Sequence, residues 1–506
     1  MAITSLDVLL AGVALYLVRL FLTKKPLGPI PPGPKGLPIL GNALEFPQTE
    51  QWKTFSEWGN KYGGIVYANA LGQPIIILND VNIAADMLEK KSSMYSDRPI
   101  LQMAGELVGW KDTLVLTRYG ERFKEYRKYF HSVMGTRASI EKLYGLFESE
   151  TRLFLRRMLW KPEELADNIR KTAGGIILQV TYGYKPKEGS DSLVDLVDVA
   201  IHQFSELTEP NAYLVDLFPA LRYVPSWFPG ASFKKTAASN RRTLQEMAAV
   251  PLDYVRKQMA AGTASPSLAS NLLEAKHTPE QEINIKWATA SMYSAGADTT
   301  VSAVHTLYLA MTLYPETQRK AQAEIDAVVG SDRLPTFSDR PNLPYVEALF
   351  SETLRWGTVA PLGVPHIVSA DDIHDGYFIP KGTVVMTNIK HMLHDPAVYS
   401  NPWEFDPERF IASEGKPAEL DPRKCCFGFG RRICPGLNLA DATVWLSMVM
   451  SLAVFNVSKK VVNGVEISPE PAYTDGTIRR ASSHPAHFVC TIKPRSAKAE
   501  AMILSD

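Results

Sequence analysis

Four cysteines in 506 residues are too few for a disulfide framework and fit a reducing compartment. Excess charge of either sign is also missing, since Lys+Arg and Asp+Glu both total 54. A balanced chain lacks the strongly basic face that would make nucleic acid its main partner. No Gly-x-Gly-x-x-Gly turn follows a strand pattern, and no flavin domain has room. Electrons for any redox step must therefore come from a separate partner. No internal repeat and no low-complexity tract interrupts the chain.

What is present begins with an apolar run. From Ile3 to Leu22 nearly every residue is apolar, with Asp7 and Arg19 near the ends. Twenty helical residues rise about 30 Å, the thickness of a bilayer's hydrocarbon core. Lys24 and Lys25 follow directly and no Lys or Arg precedes the run, so the positive-inside rule places the rest in the cytosol. Residues 1–25 are thus expected to be a membrane anchor. A cleaved signal peptide would need a basic leader, a shorter apolar core and a small-residue cleavage site, all poorly met. A buried amphipathic helix is the other alternative.

Residues 26–50 open on a proline- and glycine-rich stretch, Pro26 to Pro38, expected to be a semi-rigid strut. Residues 51–506 show no second boundary and are expected to form one large domain. Gly64 to Leu78 reads as a β-hairpin around Gly72-Gln73-Pro74. Helical patterns dominate from Tyr119 to about Leu313. Thr278-Pro279-Glu280-Gln281 is a capping box that opens a helix running to Tyr314, on the order of 50 Å long. Short strands are expected near Val384 to Met386 and between His487 and Lys493. The fold class is mainly α with small β-sheets.

The run Phe427-Gly428-Phe429-Gly430-Arg431-Arg432-Ile433-Cys434-Pro435-Gly436 sets one cysteine after a glycine-rich turn and ahead of a helix-like stretch, Leu437 to Val454. A thiolate held so can bind haem iron from one side, and thiolate ligation favours O–O cleavage. Gly430 and Gly436 are expected to adopt positive φ and bring amide N–H groups to the sulfur. Arg432 would place charge beside a haem propionate. A lone cysteine is more often a small buried hydrophobe, but this context argues otherwise. The run resembles the haem-binding signature of the cytochromes P-450, matched at Phe427, Gly430, Arg432, Cys434 and Gly436. The resemblance implies the cytochrome P-450 fold, a catalytic domain at 51–506, and haem b with Cys434 as axial ligand.

Other segments extend the likeness. Ala295-Gly296-Ala297-Asp298-Thr299-Thr300 lies midway along the long helix. Gly296 is expected to leave room for dioxygen or water. Thr299 can bond back to a carbonyl one turn earlier, and with Asp298 it supplies the parts of a proton relay. A cap or polar face is the plainer reading of these residues alone. The segment resembles the family's oxygen-activation motif, which implies catalytic roles for Asp298 and Thr299. Glu352-Thr353-Leu354-Arg355 and Asp406-Pro407-Glu408-Arg409-Phe410 resemble two further motifs, implying a buried structural triad of Glu352, Arg355 and Arg409. Tyr119 to Arg127 resembles a Trp-x-x-x-Arg helix with Phe123 in the Trp position, so Arg127 would meet a propionate. His366 and Arg98 are further propionate candidates, with an ordinary surface position as the alternative for each.

His484-x-x-His487-x-x-Cys490 offers only three ligands on alternating faces, and no metal is expected there. His391 with His394 and the pair Cys425-Cys426 are discounted similarly. The sequon at Asn456 would face the cytosol, and no glycan is expected.

The resemblance implies an NADPH-dependent flavoprotein reductase as partner, with cytochrome b5 an alternative electron source. Lys124, Lys128, Arg423, Lys424 and Arg431 are a candidate docking patch. By the same resemblance the pocket would draw on 100–113, 202–206, 358–364 and 473–478, with Tyr293 and Ala297; these residues suit an apolar small molecule. Glu106, Glu206 or Asp475 could bind an amine. Leu217 to Pro229 is read as a loop dipping into the membrane, with a buried loop as the alternative. The expected protein is a monomeric, single-pass monooxygenase of the endoplasmic reticulum membrane. Asp-Pro-Arg-Lys at 421–424 and His-Pro-x-x-Phe-x-Cys at 484–490 resemble fungal members of specialised metabolism, working on terpenoids, alkaloids or polyketides. A thiolate-haem isomerase or dehydratase and a non-catalytic haem sensor are the rivals. The intact Asp298-Thr299 pair argues against both.

Overall fold

Proline and glycine crowd the first described residues, and among the described residues no helix or long strand forms before Gln51. The computed structural model describes residues 28–209, 212–474 and 482–505. The expected anchor at 3–22, its Lys24–Lys25 flank, the first residues of the strut and the pocket positions from Asp475 to Ile478 lie outside the described residues.

Contacts divide the chain into two compact units. The first comprises the residues up to Asp97 together with Pro365–Asn388. In it, α1 (Gln51–Tyr62) buries Phe55 and Trp58. Strands β1 (Ile65–Ala70) and β2 (Gln73–Leu78) form the expected hairpin, in the register Ile65 with Leu78. Short strands β3 (His366–Ile367), β4 (Asp372–His374), β5 (Tyr377–Ile379) and β6 (Val384–Thr387) follow. The main sheet has the order β1-β2-β6-β3, with β2 and β6 parallel. Ile76, Ile77 and Leu78 of β2 are all buried, as a strand covered on both faces requires. The proline-rich segment lies against this unit: Tyr67 donates its N–H to the Pro32 carbonyl, and Phe378 donates to that of Pro29. A Cβ at Gly33 would meet the Tyr67 carbonyl oxygen at 1.8 Å, so only glycine allows that approach.

The second unit, Arg98–Val364 with Ile389 onward, is mainly helical. Its long helices are α2 (Glu121–Met134), α3 (Tyr144–Trp160), α4 (Leu165–Tyr182), α5 (Ser192–Leu207), α6 (Phe233–Ala260), α7 (Pro279–Leu313), α8 (Pro315–Val328), α9 (Pro344–Trp356) and α10 (Leu437–Val454). A three-stranded sheet, β7 (Phe455–Val462), β8 (Val465–Ile467) and β9 (Cys490–Pro494), has the order β8-β7-β9.

Helix α7 begins where the capping box predicts. The Thr278 side chain accepts from the Gln281 N–H at 3.2 Å, and the Gln281 side chain accepts from the Thr278 N–H at 2.9 Å. Most of α7 from Asn284 to Thr312 is buried, which explains its nearly all-round apolar sequence. Among the described residues, α10 is the helix long and apolar enough to cross a membrane, but 78% of it is buried inside the protein. It is a core helix.

One buried cation gives this unit a pH signature. Lys390, in a short helical turn, donates to the Trp356 carbonyl at 3.0 Å and lies over the Trp403 and Tyr473 rings. Burial pushes its amine down to about 7. Its folded value lies below its unfolded one, so the unfolded chain holds the extra proton between about 7 and 10.5. Stability therefore rises with pH across that window. Lys390→Met is expected to raise the unfolding midpoint most below pH of about 7 and to flatten the rise, as thermal melts across this range will register.

Candidate functional site

Two glycines turn the chain ahead of Cys434. Gly428 and Gly430 have φ of 76° and 56°, in the left-handed region that favours glycine. A single 3₁₀ turn, Gly430–Arg432, follows, and the Cys434 N–H donates to the Phe427 carbonyl at 2.8 Å. Gly436 departs from expectation: its φ is −87° and it caps α10. The second left-handed glycine is Gly428, because the sharp reversal precedes the cysteine while Gly436 already enters the helix. Phe429 is buried and Phe427 partly so, which anchors the loop.

Cys434 is accessible to solvent although protein encloses it closely, as suits a side chain on an internal wall. Burial pushes its thiol up, against the Gly436 amide and the Arg127 charge. Arg127, on α2, donates to the Ile433 carbonyl at 2.6 Å. Arg432 donates to the carbonyls of Thr117 at 2.7 Å and Leu114 at 3.3 Å. Its guanidinium lies 3.9 Å from the Phe123 ring centre, so the phenyl in the Trp position serves as a face for the cation. Arg98 is buried and donates to the Val364 carbonyl at 2.6 Å. His366 opens β3 in the first unit, buried, with Nδ1 2.6 Å from the Tyr95 carbonyl. Burial removes the surface alternative for both.

The middle of α7 breaks its own pattern. Ala295 and Thr299, one turn apart, are exposed between buried Tyr293, Ala297 and Val301. Thr299 Oγ1 donates to the Ala295 carbonyl at 2.9 Å, the back-bond its position suggested. Gly296 does not leave the expected room. A Cβ there would meet Ile177 of α4 at 2.7 Å, so the glycine admits a neighbouring side chain and sets the packing of two helices. Asp298 accepts from the Ser482 hydroxyl, and its Oδ1 lies 3.0 Å from His484 Nε2. Burial pushes the carboxyl up, but His484, Ser482 and the charge of Arg170 outweigh it and hold Asp298 below the usual range. Sequence reasoning weighed His484 only as a weak metal ligand and missed Ser482.

Glu352, Arg355 and Arg409 come together with at most 2% exposure. Arg355 donates twice to Glu352, at 2.6 and 2.7 Å, and also to the carbonyls of Leu393, Pro402 and Glu404. Arg409 reaches Glu352 at 3.3 Å and Glu419 at 2.7 Å. Burial pushes the Glu352 carboxyl up, opposed by the two guanidiniums and the Asp406 N–H.

The basic patch needs correction. Arg423 is clamped by Glu347 at 2.6 Å, Asp441 at 3.0 Å and Asp421 at 3.1 Å. It is a structural hub, whereas Lys124, Lys128, Lys424 and Arg431 are exposed. Of the amine-binding candidates, Glu106 pairs with Lys111 at 2.9 Å and Glu206 is exposed one turn from His202.

A flat dianionic macrocycle bound through iron needs a reachable thiol, nearby cations and a wall of small side chains. Cys434, Arg127 with Arg432, and the Ala295–Thr299 face are those residue types, so the chain fits haem. The sequence pattern of the family described as Cytochrome P-450 matches residues 31–476. Cytochrome P-450 monooxygenase 208 of Postia placenta is 55% identical over 501 residues, covering 98% of this chain and 97% of the relative. Cytochrome P-450 monooxygenase claR of Ampulloclitocybe clavipes is 45% identical, covering 99% and 93%. O-methylsterigmatocystin oxidoreductase of Aspergillus flavus is 40% identical, covering 97% and 92%. With a haem-compatible thiol loop and relatives matched from end to end, the chain belongs to the cytochrome P-450 family and is a haem-thiolate monooxygenase.

Proposed function

We propose that this chain oxidises an apolar small molecule in fungal secondary metabolism, using dioxygen and electrons from a membrane-bound flavoprotein reductase. The observation that carries the reading is the pairing of an accessible Cys434 with an exposed Thr299 beside a held Asp298. Haem, when bound, supplies dioxygen activation. In this reading Cys434 would hold its iron, and Arg127, Arg432 and Arg98 would hold its propionates. Asp298 and Thr299 move protons on the oxygen side, and Glu352, Arg355 and Arg409 hold the fold. The relay supports oxygenation over isomerisation, which needs no protons delivered to oxygen.

Residues 1–25 are the anchor, 26–50 the proline-rich lead and 51–506 the catalytic domain, facing the cytosol from the endoplasmic reticulum membrane. Support for a membrane surface comes from the loop 217–229, where Tyr223 and Trp227 are 75% and 79% exposed. Support for secondary metabolism comes from the relative named for oxidising O-methylsterigmatocystin. Cells making the chain and a reductase, fed terpenoids, indoles and polyketides, will test this by product mass. A gain of one oxygen on an apolar substrate supports it, and no oxidised product from any class sinks it.

Thr299→Ala is expected to cut product per NADPH about tenfold and to raise hydrogen peroxide release, while substrate binding is retained. Unchanged coupling removes Thr299 from the relay.

A further inference from the structure

Asp298 is gripped on both oxygens. Oδ2 accepts from the Ser482 hydroxyl, and Oδ1 faces His484 Nε2 at 3.0 Å. Ser482 Oγ also lies 3.2 Å from His484 Nε2, closing a three-residue ring. The segment carrying these two residues is itself fixed. Ser302 on α7 donates to the Ser483 carbonyl, the Ser483 N–H donates to Val359 at 2.7 Å, and His484 N–H donates to Thr474 Oγ1 at 2.9 Å. Ser482 and Ser483 are buried, and the His484 side chain keeps 12% of its surface.

The Asp298 side chain keeps 19% of its surface, but a carboxylate held by two partners exchanges protons first with the donor it already touches. Among the described residues the ionisable side chain bonded to Asp298 is His484, whose imidazole can take up and release a proton. Among the described residues, the other charges that bear on the pair come from Arg170 on α4, Asp198 on α5, and His305 on α7 with His487 beyond it. None of these is hydrogen-bonded to the carboxylate.

We infer that His484 is a positioning residue that reloads Asp298 with protons, with Ser482 fixing the carboxylate for the transfer. This rests on the reading of Asp298 and Thr299 as the relay. In the step, the Nε2–H bond of protonated His484 breaks and an O–H bond forms on Asp298 Oδ1. A neutral imidazole and a carboxylic acid result. Asp298 passes the proton toward Thr299, and the imidazole takes a new one from solvent. No electrons move.

The test uses the full haem-loaded chain with a flavoprotein reductase and NADPH, without added substrate. Hydrogen peroxide released per NADPH is measured from about pH 6 to about pH 9, a range that brackets histidine titration. His484→Gln keeps a donor to Asp298 but cannot titrate. It is expected to raise the peroxide share at least about threefold and to flatten its pH dependence. Ser482→Ala should raise the share less and keep the pH dependence. A second readout needs no turnover: unfolding midpoints of His484→Gln, Asp298→Asn and the double variant. These should be non-additive. A wild-type peroxide share and pH profile in His484→Gln, with Asp298→Asn altered, overturns the role of His484 and leaves the relay standing. If Asp298→Asn and Thr299→Ala are also unaltered, the relay itself falls and this inference with it. His484→Ala, which removes the donor altogether, should raise the share at least as far; should it fail to fold, the glutamine and Ser482 variants decide.

Discussion

Replacing Cys434 with serine is expected to abolish the red-shifted Soret band of the reduced, carbon monoxide-treated protein. Oxygenation should fall by on the order of a thousandfold. A serine hydroxyl is too weak an acid to serve as an anionic ligand at neutral pH, so the electron donation that favours O–O cleavage is lost. The loop itself should survive. It is held by main-chain bonds from Cys434 N–H to Phe427 and from Arg127 to the Ile433 carbonyl, neither of which needs the sulfur. Cys425 is the internal control. It is buried and its thiol is pushed up to about 12, so Cys425→Ala should leave the band in place. Absorbance spectra of both variants check the assignment. A normal band in Cys434→Ser would remove this residue as the ligand.

Glu352→Ala should be the most damaging change to the fold. Removing the carboxylate leaves Arg355 and Arg409 at 0% and 2% exposure, close together, and Arg355 without its counter-charge. Breaking a buried pair by deleting one partner costs about 3–5 kcal/mol, a large share of a typical domain's stability. Arg409→Ala should cost less, because Arg355 keeps its bidentate hold on Glu352 while Arg409 touches that carboxylate only at 3.3 Å. Urea unfolding and the ratio of haem to protein absorbance measure both effects. Equal losses in the two variants would contradict this ranking.

Local signals in the sequence carried well into structure. Thr278, Pro279 and Gln281 mark the start of α7, and the apolar run from Leu437 to Val454 coincides with α10. The hairpin around Gly72 was equally plain, since turn chemistry and strand alternation act over a few residues. What escaped depended on distance along the chain. Ser482 reaches Asp298 across 184 positions, and no periodicity reports such a contact. Gly296 shows the same limit: a missing side chain reads as free space until Ile177 is found filling it. Arg423 read as a surface cation because the charges that enclose it come from two separate helices, α9 and α10, and from its own loop.

That enclosure has an electrostatic consequence for the face it occupies. Arg340 and Arg423 share Glu347 and Asp441, and Asp421 adds a third carboxylate, so two positive charges are set against three negative. The group behaves at long range as a weak anion rather than as a cation. Its internal field falls away within a few ångströms, well inside a Debye length of about 8 Å in physiological salt. For the flavoprotein donor proposed above, Lys124, Lys128, Lys424 and Arg431 would supply the attraction and the Arg423 cluster would oppose it weakly. The ionic-strength dependence of that donor's association rate is accordingly expected to be shallower than a count of these arginines and lysines implies.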